Sequence, residues 1–476
     1  MAEEDQQPIP NGIDATTGQP LPGVVESDLA KLAGQSEDPS PDEQASQERD
    51  FNQQPNFGAI GDVDPNDLSQ TGWGIVFPAN ADGSVKEALK KLLDHRQAEA
   101  GPLFKIFEGA DGYRPDDTAQ EWMTRHGVSM NPVDPTLGVP YYLVLAGSPQ
   151  EIPFAFQYTL DIYWGTGRLH FTSIDGYQRY ADRVVAYEQM ATVPQKRRAA
   201  LFATEHEFDK ATQLFASQVA RPLVTVDGQR KPPGTNQGFA WESFIGDPAT
   251  KETLRTLLQG KSDGGPPALL LTGTHGMAIP PDDVGFEANQ GALVCQDWGG
   301  FGSIEPNHWF AAGDQAADSM VHGLIHVFFA CYSAGTPQLD TFDRFGANPK
   351  KRAPHDTLSL LPQTLLEQGA LATLGHIDRA WSYSFQTPKA APQIQGFRDV
   401  MGRLLRGDRV GEATDQFNIR WAALSTELAD AIAERDFDPG LVKLANRWVA
   451  RDDARNYVIL GDPAVRLRID AMAPDA

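Results

Sequence analysis

Two apolar runs in this chain each end on a side chain suited to acyl transfer. Ala268–Thr272 (ALLLT) leads into Gly273-Thr274-His275-Gly276, and Leu324–Phe329 (LIHVFF) leads into Ala330-Cys331-Tyr332-Ser333-Ala334-Gly335. A thiol attacks carbonyl carbon as its thiolate, and an imidazole beside it takes the proton and later delivers it to a leaving amine. Cys331 is therefore the candidate nucleophile and His275 the candidate base. Glycine after the histidine lets a backbone N–H approach a carbonyl oxygen closely, so the N–H groups of Gly276 and Cys331 are the candidate oxyanion donors. An isolated free cysteine is most often a small buried hydrophobe. What favours chemistry here is that both residues close a strand, the place where open parallel sheets bind ligands.

The elements that must position this pair alternate between strand and helix. Strands are read at Trp73–Phe77, Phe104–Phe107, Tyr141–Leu145, Ala199–Ala203, Pro267–Thr272, Gly291–Trp298, Leu324–Phe329, Ala370–Leu374 and Tyr457–Leu460. Helices fall between them: Ser84 to about Arg96, opened by a capping-box spacing; Ile174–Gln189; Lys210–Ala220 behind Asp209; Pro248–Leu258 behind Asp247; Leu358–Gln368; and three more near 394–406, 410–434 and 439–449. Such alternation implies an α/β fold with a mostly parallel sheet and helices on both faces. Val193–Arg198 reads as a boundary, giving a small α/β subdomain at 71–195 and a larger catalytic domain at 196–476.

Residues 1–70 differ in composition. They hold 15 Asp/Glu against 2 Lys/Arg, and supply −13 of the formal net charge of −24. Rich in Gln, Pro and Ser, with few aromatics, they read as a disordered acidic tail. So acidic a chain is a poor partner for nucleic acid. No apolar run is long enough to span a membrane, and the start Met1-Ala2-Glu3-Glu4-Asp5 does not read as a signal peptide. Two cysteines, Cys295 and Cys331, exclude a disulfide framework and suit a reducing compartment, so a cytoplasmic location is expected. Cys295, mid-strand without glycine punctuation, is assigned to packing.

The strings LLLTGTHG and HVFFACYSAG resemble the His-Gly and Ala-Cys signatures of caspase-fold (clan CD) cysteine peptidases. Tyr142–Phe154 (YLVLAGSPQEIPF), Gly167-Arg168-Leu169, Tyr187-Glu188 and Val458–Leu467 (VILGDPAVRL) are similar to the gingipain family and to CHAT-type caspase-like proteins. The likeness covers roughly 140–468. It implies a caspase-like three-layer sandwich, a His275–Cys331 dyad and an N-terminal subdomain without chemistry. It also implies peptide or protein substrates, no cofactor, and a regulated role in bacterial stress or defence, with a protein activator possible. Phe329 stands where caspases carry glutamine, so specificity for aspartate is not implied.

In this fold the strand after the cysteine helix helps to line the primary specificity pocket, here Asp378-Arg379-Ala380-Trp381-Ser382-Tyr383. Trp381 and Ser382 are candidate pocket walls. Asp378 and Asp297 are candidate partners for an Arg or Lys side chain. The polar loop 342–356, with Lys350-Lys351-Arg352, is a candidate activation loop. His322 and His326 join no zinc-ligand spacing, and the string His206-Glu207-Phe208-Asp209-Lys210 ends in lysine where a zinc motif needs histidine, so no metal is expected. The functional expectation is a cytoplasmic cysteine endopeptidase. The alternatives are a catalytically silent scaffold of the same fold and another thiol acyl-transfer enzyme.

Overall fold

The computed structural model describes residues 9–23, 58–61, 63–228, 230–300, 303–341, 350–386, 392–433 and 441–474. Its centre is one ten-stranded sheet. Across it run Phe104–Phe107, Trp73–Val76, Tyr142–Ala146, Gly165–Leu169, Tyr457–Gly461, Ala372–His376, Ile325–Phe329, Leu269–Gly273, Arg198–Ala203 and Ala240–Ile245. Every neighbouring pair is parallel except Ala372–His376 with Tyr457–Gly461. The sheet is thus two parallel halves pointing in opposite directions, joined by the last strand of the chain. The boundary expected near residue 195 falls between strands of this single sheet.

Most strands are buried along their whole length, as parallel strands covered on both faces must be. One group of helices, Lys90–Ala100, Ile174–Gln189 and Leu360–Glu367, packs together. A second, Gln395–Leu404, Asp415–Ala433 and Leu441–Arg455, forms the other layer of a three-layer sandwich. Under the strands that carry His275 and Cys331, Phe215 stacks on Phe329 at 4.8 Å, with Phe385 and Phe397 edge-on. This aromatic block packs beneath the strand that leads into Cys331.

Several elements depart from the sequence reading. Gly165–Leu169 (GTGRL) is a central strand without an apolar run; Arg168 lies inside, donating to Gln157 Oε1 at 2.9 Å and to the Gly147 carbonyl at 3.0 Å. Ala240–Ile245 is an edge strand, and Phe154–Asp161 a further helix. The first helix is broken into Ser84–Ala88 and Lys90–Ala100, with Gly83 at the N-cap in place of a capping box. Lys251–Leu258 starts at Thr250, whose hydroxyl accepts the Thr253 N–H, so Asp247 is not its cap.

The tail departs most. Composition predicts disorder over residues 9–23, yet Ile13 and Leu21 are buried. Gly12–Asp14 pairs in parallel with Gly276–Ala278 and turns back through Gln19–Pro20. Local composition hides this because the order comes from backbone pairing with a distant edge. A short helix, Leu68–Thr71, capped by Asp67, also precedes the expected start. Residues 24–57 of the tail, and 342–349 of the expected activation loop, lie outside the described residues. Arg352, at the other end of that loop, donates to Asp340 Oδ2 at 2.7 Å.

Candidate active site

His275 and Cys331 are set side by side by strand register. Gly273 pairs with Phe329 across the two adjacent parallel strands. Two residues further along each chain segment stand His275 and Cys331. The Thr274 N–H donates to the Phe329 carbonyl at 3.1 Å, and the Val294 N–H to the His275 carbonyl at 2.9 Å, so both backbones stay pinned beyond the strand ends.

The imidazole has one engaged nitrogen and one without a partner. His275 Nε2 lies 2.7 Å from Asp209 Oδ2, and Nδ1, fully buried, has no hydrogen-bond partner. An ionised carboxylate only accepts, so Nε2 carries the proton and Nδ1 presents the lone pair. Asp209 also accepts the Thr212 N–H at 3.0 Å, capping the Lys210–Phe215 helix. Burial disfavours its charge, but the His275 ring and these hydrogen bonds outweigh that and hold the carboxyl well below its ordinary value. Trp298 stands edge-on to His275 at 6.4 Å and to His206 at 5.3 Å. Burial, and then the neighbouring His275, push His206 down to about 4, so it stays neutral beside the base.

Cys331 is likewise fully buried, and burial pushes its thiol up. Its Sγ lies 3.4 Å from the Ala380 N–H and 3.7 Å from the Ala380 carbonyl. The next residue, Tyr332, has φ 59° and donates its N–H to the carbonyl of Asp378, itself at φ 73°. Two non-glycine residues in the left-handed region cost about 1–3 kcal/mol each, a strain held here by the turn that presents the thiol.

The N–H groups of Gly276 and Cys331 converge on one oxygen: each donates at 2.9 Å to the carbonyl of Asn11. That convergence needs glycine at 276, where a Cβ would lie 1.8 Å from the Cys331 carbonyl oxygen. The segment carrying Asn11 fills the cleft. The Asn11 N–H donates to the Ala380 carbonyl at 2.9 Å, and the Ser382 N–H to the Ile9 carbonyl at 3.0 Å. The Ile9 N–H donates to Ser382 Oγ at 3.2 Å, and Pro10 bridges Trp381.

Of the remaining candidates, Ser382 and the backbone of Trp381 border the occupied cleft, while the Trp381 ring packs with Leu428, Leu444 and Trp448 in the core and not as a pocket wall. Trp381 is held by its N–H to Asp453 Oδ1 at 2.8 Å, and Arg379 lies 5.8 Å from its ring centre. Asp378 is buried beneath the turn, accepting from Thr341 and lying 3.8 Å from Arg379 Nε; burial raises its carboxyl above the ordinary value. Asp297 is not brought to the site: exposed, it accepts the Lys251 N–H at 2.6 Å at the start of a helix. His322 binds the Arg183 carbonyl and His326 binds Thr272, both away from the dyad. Sequence reasoning takes Asp209 only as a helix cap and does not single out Asp453 or Asn11. The one available signal for Asp209 is its place just after a strand of the catalytic half.

Among the described residues, His95, Glu99 and Glu188 bring ligand atoms within 4.8 Å of one another. Arg96 already pairs with both carboxylates, and its Nη2 donates to Glu188 at 2.8 Å, so the cluster holds a guanidinium and does not suit a second cation.

The sequence model of peptidase family C25 matches residues 83–468. Among solved structures, a protease is similar at 16% identity, TM-score 0.47, covering 84% of this chain and 80% of that one. The complex of the Porphyromonas gingivalis RgpB pro- and mature domains is similar at 11% identity, TM-score 0.45, covering 83% and 80%. The Saccharomyces cerevisiae separase–securin complex gives 12% identity and TM-score 0.31, over 68% of this chain and 15% of that one. No curated protein sequence matches the chain.

Proposed function

The chain belongs to peptidase family C25 and is a cysteine peptidase, and from that premise we propose that it is an endopeptidase whose chemistry is carried by Cys331, His275 and Asp209. The thiol gives its proton to His275 Nδ1 as Sγ attacks the carbonyl carbon of a bound peptide. The Gly276 and Cys331 N–H groups hold the developing oxyanion. The imidazolium, stabilised and oriented by Asp209, protonates the departing amine. Water then attacks the thioester, giving its proton back through His275, and the carboxylate product leaves. The observation that carries the reading is the convergence of two N–H groups, 2.9 Å each, on one carbonyl oxygen next to a strand-end cysteine.

Asp378 and Asp297 are both engaged within the protein, so selection of Arg or Lys by charge is not favoured. Two buried, unpaired cysteines suit work in a reducing compartment. No helix among the described residues is long and apolar enough to cross a membrane.

The test uses the full chain, Cys331→Ala and His275→Ala against a peptide library covering every residue at the position before the cut. Both variants should lose roughly 10³-fold or more of the turnover while staying folded. Turnover retained by Cys331→Ala would end the assignment. A wild type that transfers its acyl group to an added amine or thiol, without net hydrolysis, would favour the acyl-transfer alternative.

A further inference from the structure

We propose that Ile9–Gly12 is a built-in substrate: Asn11 occupies the primary pocket, and Cys331 cuts the chain between Asn11 and Gly12. This rests on the peptidase reading of Cys331 and His275 and adds a substrate class to it, a neutral residue of asparagine size followed by glycine.

The segment binds as a substrate would. An extended peptide recognised through its backbone pairs with an enzyme strand on the side before the scissile bond, as Ile9 and Asn11 do with Ser382 and Ala380. Its carbonyl must sit where the oxyanion forms, and the Asn11 carbonyl takes both N–H groups at 2.9 Å. The residue beyond the bond must pass the nucleophile closely. A Cβ at Gly12 would lie 2.9 Å from Cys331 Sγ and 2.6 Å from Leu21 Cδ1, so a larger residue there would have to displace those side chains. The chain beyond is held independently, by pairing of Gly12–Asp14 with Gly276–Ala278 and by the Leu21 N–H on the Gly12 carbonyl at 2.8 Å.

The Asn11 side chain is itself fully buried, and neither its Oδ1 nor its Nδ2 has a hydrogen-bond partner. An unpartnered neutral amide there carries a desolvation cost, whereas a lysine or arginine would in addition need a counter-charge. Asp378 Oδ2 accepts from Thr341, and its Oδ1 lies 3.8 Å from Arg379 Nε without a hydrogen bond. A neutral side chain is therefore less costly there than a cation.

The step balances with water alone. Cys331 Sγ bonds to the Asn11 carbonyl carbon while its proton passes to His275. The Asn11–Gly12 C–N bond breaks, and that proton goes to the Gly12 nitrogen. Water hydrolyses the thioester, leaving a carboxylate on Asn11, a free amino terminus on Gly12 and the thiol restored.

Full-length wild type, Cys331→Ala and Asn11→Arg would be followed by intact mass and amino-terminal sequencing. The same proteins would be given an internally quenched peptide containing Ile-Pro-Asn-Gly-Ile-Asp, and its analogue with Arg for Asn. The expected result is a wild-type chain beginning at Gly12, an uncut Cys331→Ala chain, an uncut Asn11→Arg chain, and at least tenfold faster hydrolysis of the Asn peptide. Cys331→Ala separates enzymatic cutting from the spontaneous succinimide chemistry of an Asn–Gly pair. A wild type that stays intact yet hydrolyses library peptides would overturn the inference and leave the peptidase reading standing. Equal cutting of Asn11→Arg would overturn the specificity. A wild type that stays intact and hydrolyses nothing would sink both.

Discussion

The division of labour around His275 makes separate predictions for each side chain that touches it. Asp209 fixes the tautomer through Nε2, 2.7 Å away. In Asp209→Asn the amide can donate to Nε2 and turn the lone pair to the wrong side of the ring. We expect kcat to fall by about 10²–10⁴ with little change in KM; an unchanged kcat would remove Asp209 from the mechanism. Gly276 is constrained by space, since a Cβ there would come within 1.8 Å of the Cys331 carbonyl oxygen. Gly276→Ala must push the two strand ends apart, costing about 1–3 kcal/mol of stability and moving both oxyanion donors. Thermal unfolding and turnover measured together check this, since a variant with full activity would exclude the proposed hole. Cys331, His275 and Gly276 are legible in the sequence because short apolar runs ending in His-Gly and Ala-Cys are local signals. Asp209 is legible only as a cap; its contact with His275 spans 66 positions of chain. Asn11 carries no signal at all, because its meaning lies in what its carbonyl oxygen meets.

Among the elements, the helix Lys90–Ala100, the helix Ile174–Gln189 and the end of the strand Tyr457–Gly461 are tied by one buried cation. Arg96 Nη1 and Nη2 donate to Glu188 at 2.8 Å each, and Nε donates to Asp462 at 2.7 Å. Removing the cation strands two buried carboxylates, so Arg96→Met should cost about 3–5 kcal/mol. A denaturant titration showing less than about 1 kcal/mol would contradict that account. The same cluster sets a pH dependence. Burial opposes the charge on Glu188, but Arg96 and His95 outweigh it and bring its pKa from an ordinary 4.5 down to about 2. A carboxyl lowered in the folded state stabilises fully above its unfolded pKa and loses that contribution as pH falls toward the folded value. The stability gap between wild type and Glu188→Gln should therefore be full at about pH 7 and shrink from about pH 4.5 toward about pH 2. A gap that widens on acidification would show the sign to be wrong. The helix Ile174–Gln189 is readable in the sequence at roughly its observed bounds. Gly165–Leu169 escapes such a reading because a strand buried against other backbone needs no apolar run when its arginine is internally bonded.

Over the whole molecule, the last strand decides how the chain behaves. Tyr457–Gly461 pairs antiparallel with Ala372–His376 in the catalytic half and parallel with Gly165–Leu169 in the other. At that seam a Cβ on Gly167 would lie 2.3 Å from the Gly461 carbonyl oxygen. The halves should unfold together, with loss of activity and loss of tryptophan signal coinciding in urea, and Gly167→Ala should lower both midpoints equally. Two separated transitions would mean that the seam does not couple them. By itself the sequence determined the alternation of elements, the mostly parallel sheet and the placing of histidine and cysteine each at a strand end. These follow from hydrophobic period and from glycine punctuation, both of which act over a few residues. Only the tertiary structure decided that the two halves are one sheet, that Asp209 binds His275 Nε2, and that Ile9–Asp14 lies in the cleft with the Asn11 carbonyl against the Gly276 and Cys331 N–H groups. Each of these is a contact between segments tens to hundreds of residues apart, made through backbone or charged groups, and no local pattern in the chain encodes which distant partner such a group will meet.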